Sequence, residues 1–202
     1  SGCQTLTVGN IFTSSFTSIH INTLVIFDIG NLVLKIDALT FTNSTTVVMG
    51  NIQKIEMRKN AVGHNLENLA ILDSTLDNPY PMAFSLVDPF KKLYLEKVRL
   101  ARVNTKGLMK TLFNFKTKLS KLDVKNCSLG HVNYTLFRGE SFFVNITNNE
   151  MIVDDENAIE ITADNLEFTN NDVLSDDLGA IKCKILRNLH FMDNKMTNKY
   201  QQ

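Results

Sequence analysis

Leu186-Arg-Asn-Leu189-His-Phe191-Met-Asp-Asn194-Lys-Met196 is the stretch whose reading decides the fold. Its apolar residues stand at positions 1, 4, 6 and 11, with an asparagine at position 9. A helix repeats its apolar face at three and four, and spacings of three, two and five match no such face. The triplet Leu189-His190-Phe191 alternates in, out, in, as a half-buried strand does. Seven more copies of the phrase follow one another through the chain, so each copy reads as one turn of a coil in a repeat protein.

Working outward from this stretch, the nearest copies are Ala163/Leu166/Phe168/Asn171/Val173 and Ser141/Val144/Ile146/Asn149/Met151. Before them stand Leu119/Leu122/Val124/Cys127/Leu129, Phe90/Leu93/Leu95/Val98/Leu100 and Leu66/Leu69/Ile71/Ser74/Leu76. The earliest are Ile52/Ile55/Met57/Asn60/Val62 and Ile36/Leu39/Phe41/Ser44/Thr46, with Ile21/Leu24/Ile26 as a degenerate forerunner. From the N-terminus the steps between copies are 16, 14, 24, 29, 22, 22 and 23 residues. The long step implies an inserted loop around Arg102–Lys110. A second loop is expected around Asp77-Asn-Pro79-Tyr-Pro81, because proline cannot donate to a strand ladder. The two short steps are less than a full turn. Either those copies are two sides of one coil, or the N-terminal region is built differently.

The phrase resembles two families. It matches the leucine-rich repeat consensus, and it is similar to the repeat of right-handed parallel β-helices, the pectate-lyase-like superfamily. A second alternating strand precedes the later copies, in Ala158-Ile-Glu-Ile161, Ala180-Ile-Lys-Cys-Lys-Ile185, Phe113-Asn-Phe115 and Ala83-Phe-Ser-Leu86. With Asn-Asn at the bends (148–149 and 170–171), that favours the β-helix over the helix-bearing leucine-rich repeat. The resemblance implies a single all-β domain, a right-handed parallel β-helix solenoid of about 22-residue turns, with a leucine-rich-repeat solenoid as the alternative. Residues 1–30 are expected to form an N-terminal cap or irregular first turn, and 31–202 the repeats, since a solenoid needs its ends covered. Asn149, Asn171 and Asn194 are expected to stack as a ladder. The polar tail after Asn198 caps nothing, which suggests that the native chain continues; Ser1-Gly2 reads as a processing or cloning scar, with no signal peptide at the start.

Composition narrows the function. The 202 residues are 44% hydrophobic and 21% charged, enough for a core and too apolar for disorder. A net charge of zero gives no electrostatic footprint for nucleic acid. No apolar run approaches the roughly 20 residues of a membrane helix. The three cysteines, Cys3, Cys127 and Cys183, form no CxxC motif, and Cys127 and Cys183 fall at different phases of the repeat. Both read as core thiols.

The sharpest candidate chemistry is acidic. Asp154-Asp155 and Asp176-Asp177 each follow a copy of the phrase and lie one turn apart, so the pairs should stack about 4.8 Å from one another. Such carboxylates could share a proton, hold Ca²⁺ or cleave a glycosidic bond. Polygalacturonase-type β-helix hydrolases place aspartates on neighbouring turns, and Ser175-Asp-Asp177 is similar to their Asp-Asp segment. Their Gly-His-Gly, Arg-Ile-Lys and Asn-Thr-Asp elements are missing, and Gly130-His131 and Asn133 stand one turn earlier instead. A solvated polar bend is the plainer reading of the acids. His20, His64, His131 and His190 lack metal-ligand spacing. Four glycosylation sequons begin at Asn43, Asn126, Asn133 and Asn145. Asn43 and Asn126 fall at the bend and Asn145 alternates with inward residues, so all three should be exposed. Cations gather in Lys106–Lys125 and acids in Glu150–Asp177, which could orient a partner or end-to-end self-association, or be a solvated face.

These features lead to an expected function: a non-catalytic extracellular or cell-surface solenoid binding a protein or glycan along its flank, without a cofactor. Two alternatives stand beside it, a polysaccharide-cleaving enzyme using the stacked aspartates and a cytoplasmic location with unused sequons.

Overall fold

A computed structural model describes residues 3–8, 22–36, 38–41, 44–58, 61–62, 65–80, 83–86, 89–102, 111–154, 157–175 and 179–198. Among these residues there is no helix, and seventeen strands pair throughout in parallel. The chain winds as a right-handed parallel β-helix of about 7 turns, each about 22 residues long. The leucine-rich-repeat alternative, which needs helix or irregular segments on its outer side, is thereby excluded. Parallel neighbours cannot be joined by a hairpin, so each connection must cross the other faces of the coil before it returns.

Three faces surround one core. The first carries positions 4 and 6 of the phrase, whose residues meet directly from coil to coil. Leu24, Val47, Leu69, Leu93, Leu122, Val144, Leu166 and Leu189 form one row. Ile26, Met49, Ile71, Leu95, Val124, Ile146, Phe168 and Phe191 form the next. The second face is made of short strands: Thr75–Asp77, Arg99–Arg102, Ser128–Val132, Glu150–Val153, Asp172–Ser175 and Lys195–Asn198. The third face runs from Leu39 and Val62 through Phe84, Phe113 and Phe137 to Ile159 and Ile181. Phe84 and Phe113 stack at 4.4 Å between centroids, and Phe113 and Phe137 at 5.3 Å, a geometry that adds to plain burial.

The two short steps in the sequence are explained here. Leu39 sits on the third face and Ile55, paired with Leu32 and Leu76, on the second. Those copies are sides of coils, not successive turns. All three faces alternate against the same core, so all three write a similar phrase. The true N-terminal rungs are Leu24, Val47 and Leu69, spaced like the rest. Within the N-terminal 30 residues, Thr23 onward belongs to the regular strand Thr23–Leu34, and Cys3–Val8 pairs in parallel with its second half. In the expected loop around Asp77–Pro81, Pro79 is buried and the Tyr80 amide donates to Met57 O at 3.0 Å, while Pro81 lies outside the described residues. Residues 103–110 of the other expected loop lie outside the described residues.

The bend between the first and second faces repeats with unusual regularity. Asp28, Asn51, Asp73, Lys97, Asn126, Asn148, Asn170 and Asp193 stack there, all with φ between 44° and 58°. That left-handed region suits Asn and Asp and burdens other L-residues. Lys97 is the exception in the row. Lys97→Asn is therefore expected to stabilise the fold by about 0.5–1 kcal/mol, read as a raised denaturant midpoint at unchanged slope.

The next residue inward forms the expected ladder. Asn171 Oδ1 accepts from both the amide and Nδ2 of Asn149, each at 3.0 Å, while Asn171 Nδ2 donates to Ile146 O at 2.9 Å. Asn194 repeats this for Asn171, and Asn149 accepts from the Cys127 amide. Asn149 and Asn171 are each only 1% exposed, so these bonds form away from water.

Candidate functional site

Polar side chains on the second face gather where that face departs from ideal stacking. Its strands are short, and pairing shifts register between Leu76 and Asp77 and again between Ser128 and His131. Such bulges turn side chains out of a flat ladder. Gly130 has φ +59°, and a Cβ placed on it would lie 2.9 Å from Leu100 O of the coil above. Only glycine lets the two coils keep their spacing there.

The result is a groove of about 790 Å³ crossing four coils, lined by Lys54, Asp77, Arg99, His131, Asn133 and Tyr134 among others. Lys54 bridges two coils: it contacts Glu56 and lies 3.3 Å from Asp77 Oδ2. The Glu56 contact first, then that of Asp77, holds the ammonium above its ordinary pKa. His131 Nδ1 lies 3.2 Å from Asp154 Oδ2. Tyr134 forms part of the floor, with its hydroxyl buried and unpartnered, and burial pushes its pKa far up. The lining thus mixes ammonium, guanidinium, carboxylate, amide and imidazole groups. A second depression, about 690 Å³, lies on the outer side of the third face at Arg138, Glu160, Lys182 and Cys183, with Arg138 Nε 2.8 Å from Glu160.

No protein-family model, curated protein or solved structure matches this chain.

The sequence-derived candidates fall as follows. Asp154 is exposed, directly follows the strand Glu150–Val153 and faces His131. Asp155, Asp176 and Asp177 lie outside the described residues, as do Asn43, His20 and His64. Among the described residues, no three His, Cys, Asp or Glu side chains are placed to hold a metal ion. Asn126 and Asn133 are exposed. Asn145 is not: only 9% of it is accessible, and its carboxamide oxygen accepts from the Thr147 hydroxyl. Its outward orientation holds, but Asp123 and Glu167 flank it in register on the coils above and below, so outward here does not mean exposed.

Cys127 is buried and Cys183 half-buried at the last coil; both are free, and burial raises each thiol to about 11. Neither is poised as a nucleophile. Three lysines of the basic segment are paired within the fold, and Lys106 and Lys110 lie outside the described residues. Lys121 and Lys125 flank buried Asp123 at 2.6 and 3.3 Å, and Lys118 meets Asp164 while lying 4.0 Å from the Phe142 ring centre. Lys54, Asp77 and Arg99 carried no signal in the sequence as a group. Each stands in a different coil, and only the second-face register brings them together.

Proposed function

We propose that this protein is a non-catalytic binding solenoid, and that its second-face groove takes a hydroxyl-rich glycan chain. The observation that carries the reading is the lining itself: donors and acceptors from four successive coils at the repeat distance of a strand ladder. A protein interface of ordinary kind centres on exposed aromatic or aliphatic anchors, and the aromatic here, Tyr134, is buried beneath the polar groups. The two carboxylates in the lining, Glu56 and Asp77, both engage Lys54, which supports a binding role over an acid–base pair. An extracellular or cell-surface location goes with this reading, supported by the exposed sequons at Asn126 and Asn133.

Screening the secreted protein against immobilised polysaccharides tests the proposal. Binding without shortening of the polymer is expected, with Arg99→Ala and Asn133→Ala each weakening it about three- to tenfold, the worth of one hydrogen bond. Undiminished binding in both variants would remove the groove from the account, and polymer cleavage would replace binding with catalysis. In the same preparation, glycan is expected on Asn126 and Asn133 and not on Asn145, as read by peptide mass.

A further inference from the structure

The outward side of the first face changes character along the solenoid. In the coils of Thr23–Leu34, Thr45–Met57 and Leu66–Leu72 it carries Val25, Phe27, Val48, Ala70 and Leu72, each beside a residue that points into the core. They stand in register, Val25 with Val48 and Ala70, and Phe27 with Gly50 and Leu72. Val48, Ala70 and Leu72 have a paired coil on each side and are still only half-buried, because this face looks sideways from the stack. Gly50 keeps it flat. A Cβ there would lie 2.2 Å from Phe27 Cε1, so the ring rests on the Gly50 backbone and runs level with Leu72.

Polar groups frame this apolar field. In the next two coils the same positions carry Tyr94 and Glu96, then Asp123 and Lys125. Thr23, Thr46 and Asn68 border it on one side, and the bend row of Asp28, Asn51, Asp73 and Lys97 on the other. An apolar centre with a polar rim is the build of a protein interface. A flat sheet face of this build fits a second sheet face about 10 Å away, with the strands nearly aligned.

We propose that two copies of this chain pair through these faces as a two-fold dimer with antiparallel solenoid axes. The rim identifies the occupant. The two-fold runs along the strands, between the coils of Val48 and Ala70, so every contact occurs twice. Asp28 then meets Lys97, Asn51 meets Asp73 and Thr46 meets Asn68. Within the frame Val25 meets Tyr94, Val48 meets Ala70, and Leu72 meets the Phe27 ring over Gly50. Glu96, opposite Phe27, accepts from the Tyr94 hydroxyl of its own chain. No like charges are opposed, and such complementarity fixes the register of two surfaces. A two-fold along the solenoid axis fits less well, since it sets Thr23 and Asn68 against Phe27 and Leu72. The Asp28 carboxylate, which accepts from Asn51 at 2.6 Å, has lone pairs for a further donor. The pairing does not rest on the glycan reading, because the groove lies on the second face.

Sedimentation of the intact protein over a wide concentration range tests the pairing. A reversible monomer–dimer equilibrium is expected. Val48→Arg, at the centre of the face, is expected to leave monomer at every concentration. Asp28→Lys and Lys97→Asp, each alone, are expected to weaken the dimer about tenfold or more by opposing like charges. Mixed together, those two variants are expected to regain the parent's affinity, because altered position then faces altered position and the charges are again opposite. Both positions are exposed, and Lys97 shows that this bend accepts a lysine at φ 53°. An unchanged circular dichroism spectrum checks that the variants fold. A parent that stays monomeric, a dimer that survives Val48→Arg, or mixed variants that pair no more tightly than either alone overturns the proposal.

Discussion

Phe168→Ala is expected to lower the unfolding free energy by about 3–5 kcal/mol, the range for truncating a fully enclosed aromatic side chain. The ring is 1% exposed, lies in the row between Ile146 and Phe191, and stacks nearly parallel to Phe191, 5.3 Å away at an interplanar angle of 5°. Stacked coils cannot collapse into the gap, because their spacing is set by main-chain pairing on all three faces. Phe191→Ala is the control. Read from sequence alone the two phenylalanines are equivalent, but Phe191 is half-exposed, so its loss should cost roughly half as much or less. Urea midpoints for both variants check this. Equal midpoints would mean that the end of the coil is covered in solution.

Asn171→Ala is expected to cost about 3 kcal/mol or more, despite removing only a small polar side chain. Its Oδ1 is the acceptor for two donors of Asn149, and its Nδ2 is the donor to Ile146 O. Alanine takes the side-chain partner from the buried Asn149 amide and from Ile146 O, at about 1–3 kcal/mol for each group fully shut from water, while Asn149 Nδ2 keeps its bond to Val124 O at 3.0 Å. Asn194→Ala should cost less, since that residue is only half-buried. Asn171→Asp separates the two roles: it keeps the acceptor for Asn149 and loses the donor to Ile146. If Asn171→Ala unfolds at the parent's midpoint, the ladder contributes nothing to stability.

The solenoid and its inward rows were legible in the sequence because stacking makes each coil repeat the demands of the last. Leu166, Phe168 and Asn171 meet the same environment as Val144, Ile146 and Asn149, so the phrase recurs. Register in the N-terminal half was hidden, since Leu39 and Ile55 face the same core from other sides and write the same pattern. Exposure was hidden at Asn145, where alternation fixes direction and neighbouring side chains fix access. The groove was least visible. Lys54, Asp77, Arg99 and His131 are far apart in sequence and meet through the register of the second face, which shifts at Asp77 and His131 and so breaks the alternation a sequence reading follows.

Pairing only between adjacent coils has a mechanical consequence. Pulled from one end, the chain should leave the solenoid like thread from a bobbin, one loop at a time, each freeing about 22 residues and roughly 75 Å of contour. Each loop must break its pairing on all three faces together before it comes free. Resistance should therefore recur in even teeth along the force trace, with a taller one wherever the ladder holds a buried asparagine.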